Sequence, residues 1–516
     1  MAALTFAPPS RPLVGVRDGS RLVVQTWLIT RLLLVAVALW VGRTTGRSAS
    51  DMLANWDVQH YFEIAKHGYA ADNDIAFFPG WPLVLRAFAS LGVPMLWAGV
   101  GLAMICSAFA AAALYRLGGP IAAVVWLLAP TTVFTMVPYT EAPFCAAAFW
   151  AWERARAGRW GAAAGLAAIA CTLRVSGLFL LGALVILALT SRRSGGWPGV
   201  HQGGQGAQGW TSASGQPGVV AGSRARAGAP SGRSWLSWWP WPGRRVDAAA
   251  SGQDGEGRGW FASRGVDPGG VGRGEVSPRG IAGGGFSGGG FSWGGAAQSG
   301  FPADRRTSGG QGNGSSTDGA GPLARVAASL RLWWTGDRAR ALAWLSIPAA
   351  TLFAYMFYLY RLTGDWNAWY RAQSTGWPRG FTWPWVSLQH TLEAAASKAY
   401  PAFPEWSWVF RAELAAMAIG VIVTLICLRK HRWAEAAWVG VQVLAFSCSY
   451  WYLSVTRAVL LWFPLFVLLG ERLSGGWTLT PGRRRLRMVV TAIAIAAAGY
   501  VLCWWGWLFF TGRWAS

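Results

Sequence analysis

Charge is what this 516-residue chain has least of: Asp, Glu, Lys and Arg together make up 13% of it. Soluble proteins carry about twice that fraction, so an ordinary soluble core is excluded. Cysteine is also scarce, with six residues. Cys106, Cys145, Cys171, Cys427, Cys448 and Cys503 lie inside apolar runs and form no CxxC pair. That placement argues against zinc and for small buried residues. No Ser or His stands in the strand-turn-helix context that marks a nucleophile triad. Acid is in deficit as well: 22 Asp and Glu face 45 Lys and Arg, a net charge of +23. Such an excess can signal nucleic acid. Here the arginines sit at the ends of apolar runs and in one polar insert, as membrane topology predicts, and nucleic-acid binding is set aside.

What the chain has in abundance is apolar length. It is 53% hydrophobic and 14% aromatic, with a mean hydropathy of +0.30. Several runs reach the roughly 20 residues needed to cross a bilayer. The pattern predicts an all-α, polytopic membrane protein of about 9–11 transmembrane helices. The expected spans are 22–42, 95–115, 120–137, 140–154, 160–173, 175–190, 341–360, 410–428, 433–452, 456–472 and 487–510. The first run, 22–41, is too long for a signal-peptide core and lacks a clean small-residue cleavage site. It is expected to be a retained span.

Basic residues set the expected sidedness. Arg11, Arg17 and Arg21, then Arg116, ERARAGR (153–159), Arg192 and Arg193, LRKHR (428–432) and GRRRLR (482–487) all fall on one side if the N-terminus is cytoplasmic. The opposite loops then face outside: 43–94, the PYTE turn, the Arg174 turn, 361–409 and the SVTR turn. This gives two membrane halves, 1–190 and 325–516, with a stretch at 191–324 between them. The stretch is rich in Gly, Ser and Arg, as in GGGFSGGGFSWGG. Such a composition buries too little apolar surface to offset chain entropy, which predicts a disordered cytoplasmic insert. Its WLSWWPWPGRR (235–245) suits the membrane surface, and a functionless linker fits it equally. No strand precedes its glycines and no helix follows them, so they make no phosphate loop.

Ionisable groups gather on the expected outer side. The segment NWDVQHYFEIAKHGYAADNDIAFFPGWP (55–82) carries Asp57, His60, Glu63, His67, Asp72 and Asp74 between two apolar runs. As a helix, WDVQHYFEIAKH puts Asp57 and His60 on one face. Trp56, Tyr61 and Phe62 would seat that helix in the interface. A plainer reading makes Asp57 only an N-cap. PYTEAPF sets Glu141 at the mouth of a span, where it also suits a helix start. TLRVSG and SVTRAVLLWFP place Arg174 and Arg457 alone at outer ends, against the positive-inside bias. Each needs an anionic partner: Asp57, Glu141 or a lipid phosphate, which the planar guanidinium fork suits. GDWNAWYRAQSTGWPRG (364–380) adds Trp366, Gln373 and Trp377, whose amide and aromatic faces suit sugars. The DND at 72–74 has the form of a metal-binding DxD, but a hydrogen-bonded turn is the better reading.

Taken in order, NWDVQHYFEIAKHGY, AFFPGWPLVLR, PYTEAPF, TLRVSG, GDWNAWYRAQSTGW and SVTRAVLLWFPLF resemble the motifs of the glycosylphosphatidylinositol mannosyltransferase 2 (PIG-V-like) family and its actinobacterial relatives. The likeness spans 22–190 and 340–472. TLRVSG departs from the TRPTG-like pattern expected there. The resemblance implies a GT-C glycosyltransferase of a bacterial plasma membrane, taking mannose from a polyprenyl-phosphate carrier on the outer face and passing it to a lipid or glycan acceptor. It also implies that Asp57, the acid of the first outer loop, is catalytic.

The expected reaction is a single inverting displacement with Asp57 as base. Arg457, with Arg174 or His60, would stabilise the leaving phosphate. Trp56, Tyr61, Glu141, Trp366, Gln373 and Trp377 would line the sugar or acceptor site. A monophosphate leaving group offers no diphosphate for a metal to bridge, so no metal or other cofactor is expected. A lipid or glycan flippase and a non-catalytic scaffold of the same fold remain the alternatives. Paired broken helices in repeated halves would mark a transporter, and the sequence shows no such repeat.

Overall fold

In a computed structural model the described residues are 16–190, 336–377, 379–474 and 481–515. The expected disordered insert at 191–324 and its Trp-rich segment at 235–245 lie outside them. Among the described residues every regular element is a helix, and Phe381 with Ser449 makes an isolated bridge. The all-α membrane class read from the sequence is what the structure shows.

Among the described residues five helices are long and apolar enough to cross a membrane: Asp18–Thr45, Met95–Leu127, Gly336–Thr363, Pro404–Arg429 and Arg485–Phe510. Trp160–Leu173 and Ser176–Thr190 are apolar but shorter. At ~1.5 Å per residue, a helix of 14 or 15 residues falls short of a hydrocarbon core of ~30 Å. Several expected spans are therefore half-length helices packed among longer ones.

Two expected spans are broken outright. The stretch 95–137, read as two spans, is one helix Met95–Leu127 followed by a 3₁₀ turn, Pro130–Thr135. The helix kinks at Gly119, whose φ of 79° lies in the region that favours glycine, and at Pro120, which has no N–H to donate. The expected span 456–472 is a four-residue helix Val455–Ala458, a 3₁₀ turn Val459–Leu461 and a helix Phe463–Ser474. The kink lies between the expected spans 95–115 and 120–137, whereas the breaks after Leu127 and at 459–461 lie inside expected spans, where hydropathy records only apolar length. Irregular backbone at membrane depth survives only where protein covers it, and residues 131–137 and 455–458 are buried throughout.

The two halves of the sequence pack on each other. Helix Val16–Thr45 lies against Met95–Leu127 and Pro481–Phe510, and Gly336–Thr363 against Trp160–Leu173 and Ser176–Thr190. Helix Phe463–Ser474 approaches Met95–Leu127 so closely that a Cβ on Gly470 would stand 2.8 Å from the Gly118 carbonyl oxygen.

The first of the expected outer loops, 43–94, folds as helices Ala49–Leu53, Asp57–His67 and Gly80–Ser90, with a 3₁₀ turn Asp72–Ala76. The second, 361–409, holds helices Ala368–Gly376 and Pro384–Ala394. One apolar cluster joins them, with Ile75, Ala76 and Phe78 packed on Tyr355, Leu359, Ala368 and Ala372.

Candidate active site

The site is built where broken backbone meets helix starts. Asp57 is the first residue of helix Asp57–His67, and the residue before it, Trp56, is held at φ 60°, ψ −124°. A bulky residue at positive φ is strained, and such strain concentrates at functional sites. Trp56 occupies the cap position, and no side chain caps this helix. The Asp57 carboxylate makes no cap, and its Oδ2 accepts a hydrogen bond from Arg457 Nη2 at 3.0 Å. The Asp57 N–H donates to the Tyr139 hydroxyl at 3.3 Å.

Glu141 is fully buried at the start of helix Glu141–Arg156. Its Oε1 receives Arg457 Nε at 2.8 Å, Arg457 Nη2 at 2.6 Å and Arg174 Nη1 at 2.7 Å. Arg174 is the extended residue between Trp160–Leu173 and Ser176–Thr190, and its Nη1 also donates to Thr140 Oγ1 at 2.9 Å. The two lone arginines of the sequence thus share one carboxylate. The Arg457 guanidinium also lies 4.8 Å from the Phe134 ring centre and 4.9 Å from that of Tyr139, within cation–π range.

Arg457 owes its place to Glu413, a residue the sequence reading did not single out. Glu413 is fully buried in helix Pro404–Arg429. Its carboxylate accepts the backbone N–H groups of Ser454 (3.2 Å), Val455 (2.7 Å) and Thr456 (3.0 Å), and the Thr456 hydroxyl at 3.1 Å. It therefore caps the short helix that carries Arg457, from another part of the chain. An acid inside an apolar span was the available signal.

His60, one turn beyond Asp57, pairs through Nδ1 with Oδ1 of the buried Asp74 at 2.9 Å. Its ring stacks on Phe77 with centroids 4.7 Å apart, and Trp377 tilts over it at 5.8 Å. The DND segment is the 3₁₀ turn, and its Asp74 serves His60. Among the described residues no group of three His, Cys, Asp or Glu is gathered as a metal centre. The six cysteines are all unpaired thiols.

The other candidates fall in three places. Tyr61 is buried inside the site, not seated in the interface as expected, with its hydroxyl 3.4 Å from Thr140 Oγ1. Burial, with the Asp57 and Glu141 charges beside it, pushes its phenol well above the ordinary range. Gln373 ties the loops together, donating from Nε2 to the Ala76 carbonyl at 3.2 Å beside Trp369 Nε1 at 3.1 Å. Trp366 lies elsewhere, half exposed and stacked on Tyr360 at 4.4 Å; it packs with Phe353 and Phe357 on the outside of helix Gly336–Thr363. Exposed and site-lining tryptophans look alike in a sequence.

Comparison with known proteins agrees with this geometry. Residues 25–192, which include Asp57, His60, Glu141 and Arg174, match the family described as Mannosyltransferase (PIG-V). The chain is 34% identical over 152 residues to GPI alpha-1,6-mannosyltransferase 2 of Mus musculus, 34% to that of Rattus norvegicus and 33% to that of Homo sapiens. Each match covers 26% of this chain and 31% of the relative, so the chain spans about a third of the curated relatives' length. No solved structure matches it. The similarity to the PIG-V mannosyltransferase family therefore rests on residues 25–192.

Proposed function

We propose that the chain is an integral-membrane mannosyltransferase that moves mannose from a polyprenyl-phosphate carrier to a lipid or glycan acceptor. The observation that carries this reading is the cluster of Asp57, Glu141, Arg174 and Arg457, three of whose members lie in the family-matched region.

Asp57 is the base. Its Oδ2 is held by Arg457, while Oδ1 takes no hydrogen bond from a described residue. The acceptor hydroxyl oxygen attacks the anomeric carbon, and its proton passes to Asp57. The bond from that carbon to the carrier phosphate breaks, and the electron pair leaves with the phosphate. A β-linked donor then gives α-linked mannose, the linkage named for the mouse and human relatives. General-base help of this kind contributes about 10²–10⁴-fold. Arg457 and Arg174 keep the phosphate side positive as charge develops there. His60, Phe77 and Trp377 form an aromatic wall for the sugar, and Tyr61, neutral and buried, offers a hydroxyl beside Thr140. No metal is needed, because the leaving group is a monophosphate.

The membrane placement belongs to the same reading: a bacterial plasma membrane, a cytoplasmic N-terminus and a site on the outer face. Supporting it, helix Glu141–Arg156 starts in the site and ends at Glu153, Arg154 and Arg156, one of the basic turns. Lys430 and Arg432 lie in another basic turn and pair with Glu471. The test is incubation of membranes holding the chain with labelled polyprenyl-phosphate-mannose, followed by identification of the labelled product. A mannosylated lipid or glycan that depends on the chain supports the reading; label that stays on the carrier sinks it.

A further inference from the structure

The second outer loop brings another cation to the cluster. Arg379 follows helix Ala368–Gly376 and stands two residues before the bridge between Phe381 and Ser449. The loop is pinned there: the Phe381 N–H donates to Tyr370 Oη at 3.2 Å, and the Thr382 N–H to the Cys448 carbonyl at 3.0 Å. Arg379 is thus held in place by its backbone. Its side chain is treated differently from those of Arg457 and Arg174. Nε of Arg379 is buried without a hydrogen-bond partner, and no carboxylate among the described residues forms an ion pair with it.

Arg379 stands two residues beyond Trp377, whose ring lies 5.8 Å from that of His60. Burial, then the neighbouring Arg457 charge, lowers the pKa of Arg379 to about 10, and Asp57, Arg174 and Glu413 are close enough to act on it too. It stays charged near neutral pH. Glu413 is already engaged by the amides of 454–456. Asp57 and Glu141 are engaged by Arg457 and Arg174. Three guanidiniums therefore stand near three carboxylates, Asp57, Glu141 and Glu413, each of which already has other partners, so that none pairs with Arg379.

A buried guanidinium N–H without a partner costs stability, because its lost hydration is not replaced. A fold that keeps one beside a reaction centre has a vacancy for an anion. The planar fork matches two oxygens of a phosphate monoester. Since Arg457 and Arg174 already hold carboxylates, we propose that Arg379 is the residue that grips the phosphate of the lipid-linked donor. This assignment rests on the polyprenyl-phosphate reading above. Arg457 and Arg174 then act on the phosphate through their field, and Arg379 by contact.

The test uses the full chain purified in detergent, with farnesyl phosphate, farnesol and inorganic phosphate as probes and ligand-induced thermal shift as the readout. Wild type should bind farnesyl phosphate more tightly than farnesol. In Arg379→Gln that preference should shrink by about 10- to 100-fold, the usual worth of a hydrogen bond to a charged group. Farnesol binding should not change, and Arg379→Lys should fall between. Without ligand, Arg379→Gln should melt at or above the wild-type temperature, since the buried Nε–H it removes has no partner. A phosphate preference kept intact by Arg379→Gln overturns the assignment alone. A ligand-free variant that melts well below wild type also overturns it, because the guanidinium would then have a partner within the fold. Inorganic phosphate that competes as well as the lipid overturns the lipid-donor form of the proposal. A wild-type chain with no preference for phosphate overturns the donor reading itself.

Discussion

Nη2 of Arg457 lies 3.0 Å from Oδ2 of Asp57, across 400 positions of sequence. The same nitrogen is 2.6 Å from Oε1 of Glu141. One guanidinium therefore fixes the distance between the acid of the first outer loop and the acid that opens helix Glu141–Arg156. Nε of the same group also reaches Glu141 Oε1 at 2.8 Å, a two-point grip that a point charge on a flexible stem does not reproduce.

Arg457→Lys should accordingly keep the charge and lose the geometry. The expected result is a protein that inserts and folds, uses the donor poorly and retains some turnover. Initial rates over a range of donor concentrations check it, and wild-type kinetics would show that the fork has no role.

Glu413→Gln should act through Arg457. The amide keeps one acceptor but sets an NH₂ against backbone N–H groups that now meet a carboxylate. A cost of about 1–3 kcal/mol is the usual worth of such a buried mismatch. Transfer should fall with it, and more steeply than in a variant of equal thermal stability altered far from the site. Melting temperature and rate, measured together, separate positioning from simple destabilisation.

The two tryptophans of the second loop should differ. Trp377→Ala removes a wall of the sugar site beside His60 and Phe77. An aromatic face is worth about 0.5–1.5 kcal/mol in contacts of this type, so a several-fold rise in KM is expected. Trp366→Ala touches only the outer cluster with Tyr360 and should leave the rate unchanged. Equal effects from the two changes would place the sugar elsewhere.

These contrasts mark what the sequence could and could not reveal. Asp57, Glu141, Arg174 and Arg457 stood out because ionisable groups beside apolar runs are costly and need a reason. Their pairing was open, since either carboxylate or a lipid phosphate would have served the arginines. Glu413 and Arg379 were passed over, although an acid inside an apolar span was a signal in Glu413's case; Arg379 lies in a polar, aromatic loop where an arginine does not stand out. Tyr61 was expected at the interface because an amphipathic tyrosine suits water and lipid equally, yet it is buried against Thr140. The kink at Gly119–Pro120 falls between the expected spans 95–115 and 120–137, but the breaks after Leu127 and at 459–462 escaped a reading by hydropathy. Gly and Pro are tolerated in membrane helices, and only packing decides whether they end one.

Sidedness has its own test. In a background without the six native cysteines, a Cys at position 70 should react with an impermeant reagent in intact cells. A Cys at position 430, in the LRKHR turn, should react only after permeabilisation. The reverse pattern would invert the topology.

The most direct measurement concerns Asp57→Asn. The change keeps the size of the side chain and removes its basicity. No side chain caps helix Asp57–His67, so no cap is lost with the charge. Initial rates of mannose transfer from labelled polyprenyl-phosphate-mannose, normalised to the amount of inserted protein, should fall by about 10²–10⁴-fold, the worth of a general base. Turnover near the wild-type rate in a normally inserted Asn variant would contradict the account, for it would remove the base from the proposed displacement.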